Sequence, residues 1–212
     1  MGVASQSQKT TSRKERDELR KRGEILEAAL EIFAARGFHS ATMAQISKHS
    51  EYPLGTIYKY FPSKKEMYHD LVINRVRELG MILESIRQDS DLGICGKLKA
   101  CLGAQTDFYM ANQQVVKIYI SERSNLDAVA MPQLNEKVNS FHDRMVNLFQ
   151  DLFDQGISSG KFKAYPSRDM AELYADIVHS AAWGALFRDE TGPELEQRLS
   201  MIFDMFTTGI KK

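Results

Sequence analysis

The segment 42–65, with the sequence TMAQISKHSEYPLGTIYKYFPSKK, constrains the fold most because it holds two helix starts separated by a tight turn. Thr42 is followed by Gln45, and Ser63 by Glu66, at the spacing of a capping box. In that motif a hydroxyl accepts a hydrogen bond from the backbone N–H three residues on, and the later side chain accepts one from the backbone of the cap. Helices are therefore predicted to begin near residues 42 and 63.

Pro53 interrupts the helical pattern between these two starts. Proline disfavours helical geometry in the residue before it and is tolerated in the first turn of the helix that follows. Met43, Ile46 and Ser47 supply the inner face of a short helix before the break. A second short helix is predicted over residues 54–60.

This second helix has one face suited to packing and one suited to DNA. Ile57 and Phe61 are four residues apart and are predicted to enter the core. Lysine neutralises phosphate, hydroxyl groups bond phosphate oxygens, and glycine lets a backbone approach closely. The segment therefore predicts a DNA-binding helix-turn-helix in which the outer residues meet phosphates, except that Leu54 and Thr56 are directed toward bases. The outer set is Leu54, Gly55, Thr56, Tyr58, Lys59 and Tyr60.

Three motifs follow one another over residues 22–67, namely IL-x-AAL-x-IFAARGF, T-M-x-x-I and GTIYKYF-x-SKKEM. Together they resemble the N-terminal domain of the TetR (tetracycline-repressor-like) family of bacterial transcription regulators. The resemblance implies that residues 54–60 form the recognition helix. It also implies that Tyr58 and Lys64 bind phosphates and that Thr42 caps the preceding helix beside the DNA backbone.

The turn departs from the family pattern at two positions. Glu51 stands where glycine is most common, and Pro53 stands where serine is common. A non-glycine residue at positive φ costs on the order of 1 kcal/mol, and an outward carboxylate here would repel phosphate. A helix-turn-helix shape that serves only packing is the alternative to the DNA-binding interpretation.

The neutral net charge hides two parts of opposite sign. Residues 1–65 contain 12 Lys and Arg against 7 Asp and Glu, whereas residues 66–212 contain 16 against 21. This asymmetry is typical of a nucleic-acid-binding head joined to an acidic body. The basic N-terminal arm either contacts DNA or is only a solvated helix start, since acidic residues are interleaved with it. Its cations are Arg13, Lys14, Arg16, Arg20, Lys21 and Arg22.

The remaining composition predicts a globular protein of the cytoplasm. An apolar run long enough to span a membrane, about 18 residues, is absent, and the N-terminal sequence lacks the apolar region of a secretory signal. Residues 1–16, rich in Ser, Thr and Gln, are predicted to be a flexible leader. Cys95 and Cys101 are expected to be reduced thiols, and neither a metal nor a cofactor is expected.

Helical periodicity continues from residue 66 to the end, without strand alternation. The chain is therefore predicted to be all-α, with about nine helices: a three-helix head over 17–65 and a larger ligand-binding and dimerisation body over 66–212. After a long fourth helix, the predicted helices span 92–110, 113–124, 132–158, 168–189 and 194–210.

The last two predicted helices are apolar on more than one face, so each must be covered on more than one side. In TetR-like proteins the final two helices form a four-helix dimer interface. A homodimer also supplies the second reading head that a two-fold operator needs, and the alternative is a monomer with a tight core. The predicted interface residues are Tyr174, Ile177, Ala181, Ala185, Leu199, Ile202, Phe203 and Phe206.

The resemblance further implies a small-molecule pocket in the body. Its predicted occupant is a largely apolar effector with one polar or anionic end, because the candidates are mostly aromatic. Each candidate has a plainer alternative: aromatic and Met residues as core, His179 as a satisfied core histidine, and Arg123 as a solvated cation beside Glu122. The candidates are Phe108, Tyr109, Tyr119, Arg123, His142, Met145, His179, Trp183 and Phe187.

Three classes of function were weighed: a ligand-responsive DNA-binding repressor, a helical enzyme and a protein-interaction module. The sequence lacks a nucleophile paired with a base, an HExxH motif and a phosphate loop, which disfavours an enzyme. An interaction module would not need the basic head. The sequence thus predicts a non-enzymatic repressor that a small effector releases from a palindromic double-stranded DNA operator.

Overall fold

The computed structural model describes residues 12–124 and 132–211, with side chains described for 12–119 and 134–211. Within these residues the chain forms nine α-helices, and the extended pairing is limited to one isolated bridge between Phe162 and Lys211. The all-α prediction is confirmed. The helices are α1 (Arg13–Arg36), α2 (Met43–Ser50), α3 (Leu54–Tyr60), α4 (Lys64–Gln88), α5 (Ile94–Ala111), α6 (Gln113–Ser124), α7 (Pro132–Ser158), α8 (Ser167–Arg188) and α9 (Gly192–Ile210).

Local sequence signals explain where the first helices begin. Thr42 caps α2 with both hydrogen bonds of a capping box, and the Ser63 hydroxyl accepts from the N–H of Glu66 at 3.2 Å. Sequence reasoning missed a third capping box, in which Ser12 and Glu15 start α1 at Arg13. Residues 13–16 are therefore helical, although they fall within the predicted leader.

Contacts divide the chain into two compact units, one ending at Leu71 and the other beginning at Val72. The first unit contains α1, α2, α3 and the start of α4. Its core side chains, contributed by all four helices, are at most 1% exposed. They include Phe33, Ile46, Ile57, Phe61 and Met67.

The second unit is built around α5, α7 and α8. Phe149 and Phe153 of α7 pack edge-on against the ring of Tyr174 on α8, with centroid separations of 5.0 and 5.9 Å. The Tyr174 hydroxyl donates to the carbonyl oxygen of Leu98 at 2.6 Å, so this buried phenol is satisfied. None of the helices in the described residues is both long enough and apolar enough to cross a membrane.

Candidate functional site

The turn between α2 and α3 adopts the conformation that its sequence makes costly. Glu51 ends α2 at φ 59° and ψ 13°, in the left-handed region, although it is not glycine. The Ser47 hydroxyl donates to the carbonyl oxygen of Tyr52 at 2.7 Å, and the Tyr52 hydroxyl donates to Glu24 on α1. These bonds hold the turn against α1, which helps Glu51 keep a strained backbone.

Helix α3 turns one face inward and leaves the predicted outer set accessible. Ile57 is 0% and Phe61 is 1% exposed, whereas Leu54 and Tyr58 are 39% and 49% exposed. Gly55 and Lys59 are also exposed, and Thr56 and Tyr60 are half-buried. An added Cβ at Gly55 would meet no atom within 4 Å, so its side of the helix faces open space. The exposed Thr42 side chain lies at the start of the neighbouring α2.

Lys64 has a different environment from the predicted one. Its ammonium donates to the carbonyl oxygens of Phe38 and His39 at 2.7 Å each and of Ala41 at 2.9 Å, and it lies 4.9 Å from the centroid of the Phe38 ring. A lysine has three donors, and all three are occupied. The structure therefore contradicts a direct phosphate contact by Lys64 in this conformation and makes it a clamp on the α1–α2 loop.

Two arginines of the basic N-terminal arm are also engaged inside the first unit. Arg22 pairs with Asp70, donates to the carbonyl oxygen of Tyr60 at 3.1 Å and lies 4.4 Å from the centroid of the Phe61 ring. Arg20 pairs with Glu24 at 2.7 Å on the surface of α1. Arg22 therefore fixes the end of α3 against α1 and α4.

The second unit contains a cavity of about 590 Å³ bounded by five of its helices. Five predicted ligand residues line it: Phe108, Tyr109, Tyr119, His179 and Trp183. Sequence reasoning missed the rest of the lining, because valine and leucine at helical spacing are indistinguishable from core residues. These further residues are Val72, Arg75, Val76, Leu79, Val115, Val116, Val138 and Phe141.

The other four predicted pocket residues lie elsewhere. Met145 is buried and lines a neighbouring groove, and His142 is exposed and borders neither space. Phe187 is 55% exposed, with its ring centroid 5.0 Å from that of Trp183. The side chain of Arg123 lies outside the described residues.

The polar groups of the cavity are paired with one another. The Tyr109 hydroxyl lies 3.2 Å from Nδ1 of His179, and burial raises the pKa of that phenol. Arg75 donates to Glu78 at 3.0 Å. The cavity is therefore an apolar space in which hydrogen-bonding groups already have partners.

The predicted dimer residues divide into two groups. Tyr174, Ala181, Ala185 and Phe203 are at most 6% exposed within the single chain, so the prediction that they face a partner is wrong. Ile177, Leu199, Ile202 and Phe206 are half-buried. The large apolar side chains that α8 and α9 leave exposed are instead Leu173, Phe187, Met201 and Met205, at 54–71% exposure.

The sequence profile of the bacterial regulatory proteins of the tetR family matches residues 25–71, which include the whole helix-turn-helix. The chain belongs to the TetR family. Its relatives include the fatty acid metabolism regulator protein of Bacillus subtilis, 28% identical over 145 residues that cover 66% of this chain and 70% of that protein. Another is the transcriptional repressor KstR2 of Mycobacterium tuberculosis, 26% identical over 163 residues that cover 77% and 78%.

Solved structures show the same fold for this TetR-family protein. The regulator FadR from Bacillus subtilis, solved in complex with stearoyl-CoA, superposes with a TM-score of 0.71 at 19% identity, covering 89% of this chain and 98% of that one. The ketosteroid regulator KstR2 superposes with a TM-score of 0.67 at 22% identity, covering 91% and 95%. The protein is a ligand-responsive, DNA-binding transcriptional regulator with α3 in the position of the recognition helix.

Proposed function

We propose that this TetR-family protein is a repressor that binds a palindromic operator as a homodimer and is released by a largely apolar effector. The observation that carries the proposal is the cavity of about 590 Å³, because α4 lines it and the same helix begins in the DNA-binding unit at Lys64. A ligand held against the second half of α4 can favour one position of that helix over another.

On the DNA side, α3 supplies the proposed reading surface. Leu54 and Thr56 would face bases, and the exposed cation and hydroxyl groups around them would meet phosphates. Lys64 would support this surface indirectly through the α1–α2 loop. The proposed phosphate contacts are Thr42, Gly55, Tyr58, Lys59 and Tyr60.

The proposed dimer face is the exposed side of α8 and α9. Leu173 and Phe187 lie on one stripe of α8, together with Ser180 and Gly184, and Met201 and Met205 continue an apolar strip on α9. Small residues on the α8 stripe would let a partner helix approach closely. A two-fold pairing of these faces would give two recognition helices for two half-sites of an operator.

The proposed effector is an apolar molecule of moderate size. A volume of about 590 Å³ lies within the range of small-molecule sites, about 300 to 1,000 Å³, and the lining is mostly valine, leucine and aromatic rings. The names of two relatives mention fatty acid metabolism and ketosteroids, which are apolar chemistries of this kind. A regulatory rather than catalytic role, and a place in the cytoplasm with the chromosome, accord with relatives that are transcriptional regulators.

Linkage between the two sites tests this function. Trp183 is the sole tryptophan and lines the cavity, so its emission reports ligand entry at one place. Fatty acids and sterols that change Trp183 emission in a saturable way should weaken operator binding, and operator should weaken their binding by the same factor. A ligand series that saturates the cavity and leaves operator affinity unchanged would overturn effector control.

A further inference from the structure

A second space adjoins the cavity. It is an open groove of about 1010 Å³ between α4 and α7. Val76 and Phe141 line both the groove and the cavity, so they form the wall between the two. The groove is the larger of the two spaces, and its chemistry differs from that of the cavity.

The wall depends on a glycine. A Cβ atom added at Gly80 would lie 3.3 Å from Cε2 of Phe141, closer than ordinary van der Waals contact. The Phe141 ring therefore lies directly on the backbone of α4, in a position that glycine alone leaves free of crowding. Phe141 is half-buried, so its ring is not locked in the core, and a change of rotamer would join the two spaces.

The groove carries a surplus of positive charge. Its cations are Arg77, Lys137 and Arg144, and its carboxylates are Glu84 and Glu136. Glu84 accepts hydrogen bonds from Arg87 at 2.8 and 2.5 Å, and these bonds, with one from Gln88, lower its pKa to about 2. Arg87 thus compensates Glu84, which leaves three cations against one carboxylate.

The enclosed cavity offers nothing comparable to an anion. Tyr109 is engaged by His179, and Arg75 is engaged by Glu78. An anionic end buried beside these groups would break existing pairs or remain unpaired, and an unpaired buried charge is strongly unfavourable. The only direction in which a ligand bound there can extend an anionic end toward the cations of the groove is past Phe141.

We infer that the cavity and the groove form one site for a two-part ligand, in which Phe141 swings aside, an apolar body fills the cavity, and a phosphate-bearing head of nucleotide size lies against Arg77, Lys137 and Arg144. This inference rests on the proposed function, because it names the class of effector for the same cavity. A head larger than a carboxylate is required by the size of the groove, about 1010 Å³ against about 590 Å³ for the cavity. Phe141 acts as the gate.

Three probes separate the two parts of the site: lauroyl-CoA, laurate and coenzyme A, each titrated into the full-length protein with Trp183 emission and calorimetry as readouts. Lauroyl-CoA should bind at least about tenfold more tightly than laurate, with an affinity that falls as salt rises. Arg144→Gln should weaken lauroyl-CoA by about three- to tenfold and leave laurate unchanged. The matched control Lys161→Gln, at an exposed cation outside the groove, should change neither.

The gate has its own test. Phe141→Ala should speed association of lauroyl-CoA several-fold, and circular dichroism verifies that this variant is folded. Equal binding of laurate and lauroyl-CoA, no effect of Arg144→Gln, or no saturable binding of lauroyl-CoA would each overturn the two-part site. These results would leave the proposed repressor intact, because its failure is measured separately as the absence of coupling between any cavity ligand and operator.

Discussion

The ammonium group of Lys64 donates a hydrogen bond to the carbonyl oxygen of Ala41 at 2.9 Å, the residue just before the Thr42 cap of α2. Two further bonds, to Phe38 and His39, complete the set of three. Lys64 thereby fixes the loop that presents the start of α2. Its contribution to DNA binding is therefore expected to pass through the stability of this loop.

Lys64→Ala should lower the free energy of unfolding by about 2 kcal/mol, because three carbonyl oxygens lose a charged donor at a partly buried site. Chemical denaturation followed by circular dichroism measures this loss. The slope of log affinity against log salt for operator binding should stay unchanged. Lys59→Ala, at an exposed cation of α3, should behave in the opposite way, with unchanged stability and a slope shallower by about 0.9. A shallower slope for Lys64→Ala would restore a direct phosphate contact.

Met205→Glu should give a folded monomer with much weaker operator binding, because Met205 is 71% exposed and lies on the proposed dimer face. Light scattering with circular dichroism tests this expectation. Met81→Glu is the control, since Met81 is 62% exposed on α4 and should leave the dimer intact. Ala181→Arg should instead unfold the protomer, because Ala181 is only 2% exposed. A Met205→Glu protein that remains dimeric would place the interface elsewhere.

Sequence reasoning located the helices because caps and breaks are local signals. Thr42 with Gln45 marks the start of α2, and Pro132 marks the start of α7, each within a few residues along the chain. The dimer face was misplaced because α8 is apolar on two sides, and periodicity alone does not show which side the same chain covers. Tyr174 proved to be covered by α7 and α9.

The partners of Lys64 and the lining of the cavity were missed for a different reason. Lys64 bonds carbonyl groups that lie 23 to 26 residues earlier, and no spacing rule connects backbone oxygens in a loop to a distant lysine. Arg75 and Phe141 become cavity residues only through the arrangement of α4 and α7 in space. Aromatic candidates such as Tyr109 and Trp183 were correctly associated because their size favours large buried surfaces.

Gly156→Ala should destabilise the second unit by about 1 to 3 kcal/mol, because a Cβ at this position would lie 2.1 Å from the Phe162 ring. Gly103→Ala is the matched control within α5, where an added Cβ meets nothing within 4 Å. Since alanine is the better helix former, that variant should gain about 0.5 to 1 kcal/mol. Denaturant midpoints compare the two, and equal stability of both variants would contradict the close packing of Phe162 on Gly156.

Cys101 should resist thiol reagents until the protein unfolds, because burial raises its pKa to about 12. The half-buried Cys95 should be modified first, as mass spectrometry after brief iodoacetamide treatment would show. A raised folded-state pKa stabilises the fold below the unfolded value, about 8.5, and this contribution is lost as pH rises toward 12. Cys101→Ala should therefore lose stability less steeply above about pH 8.5 than the unmodified protein does. Rapid alkylation of Cys101 in the folded state would contradict its burial.

The central claim is that α3 and its surroundings bind a specific operator through phosphate and base contacts. Fluorescence anisotropy with the DNA upstream of the protein's own coding sequence, against a scrambled fragment of equal length, tests it most directly when repeated over a range of salt concentrations. The account predicts tighter binding to the upstream fragment, two protomers per site, and a log affinity that falls linearly with log salt. Equal affinity for both fragments at every salt concentration would contradict it.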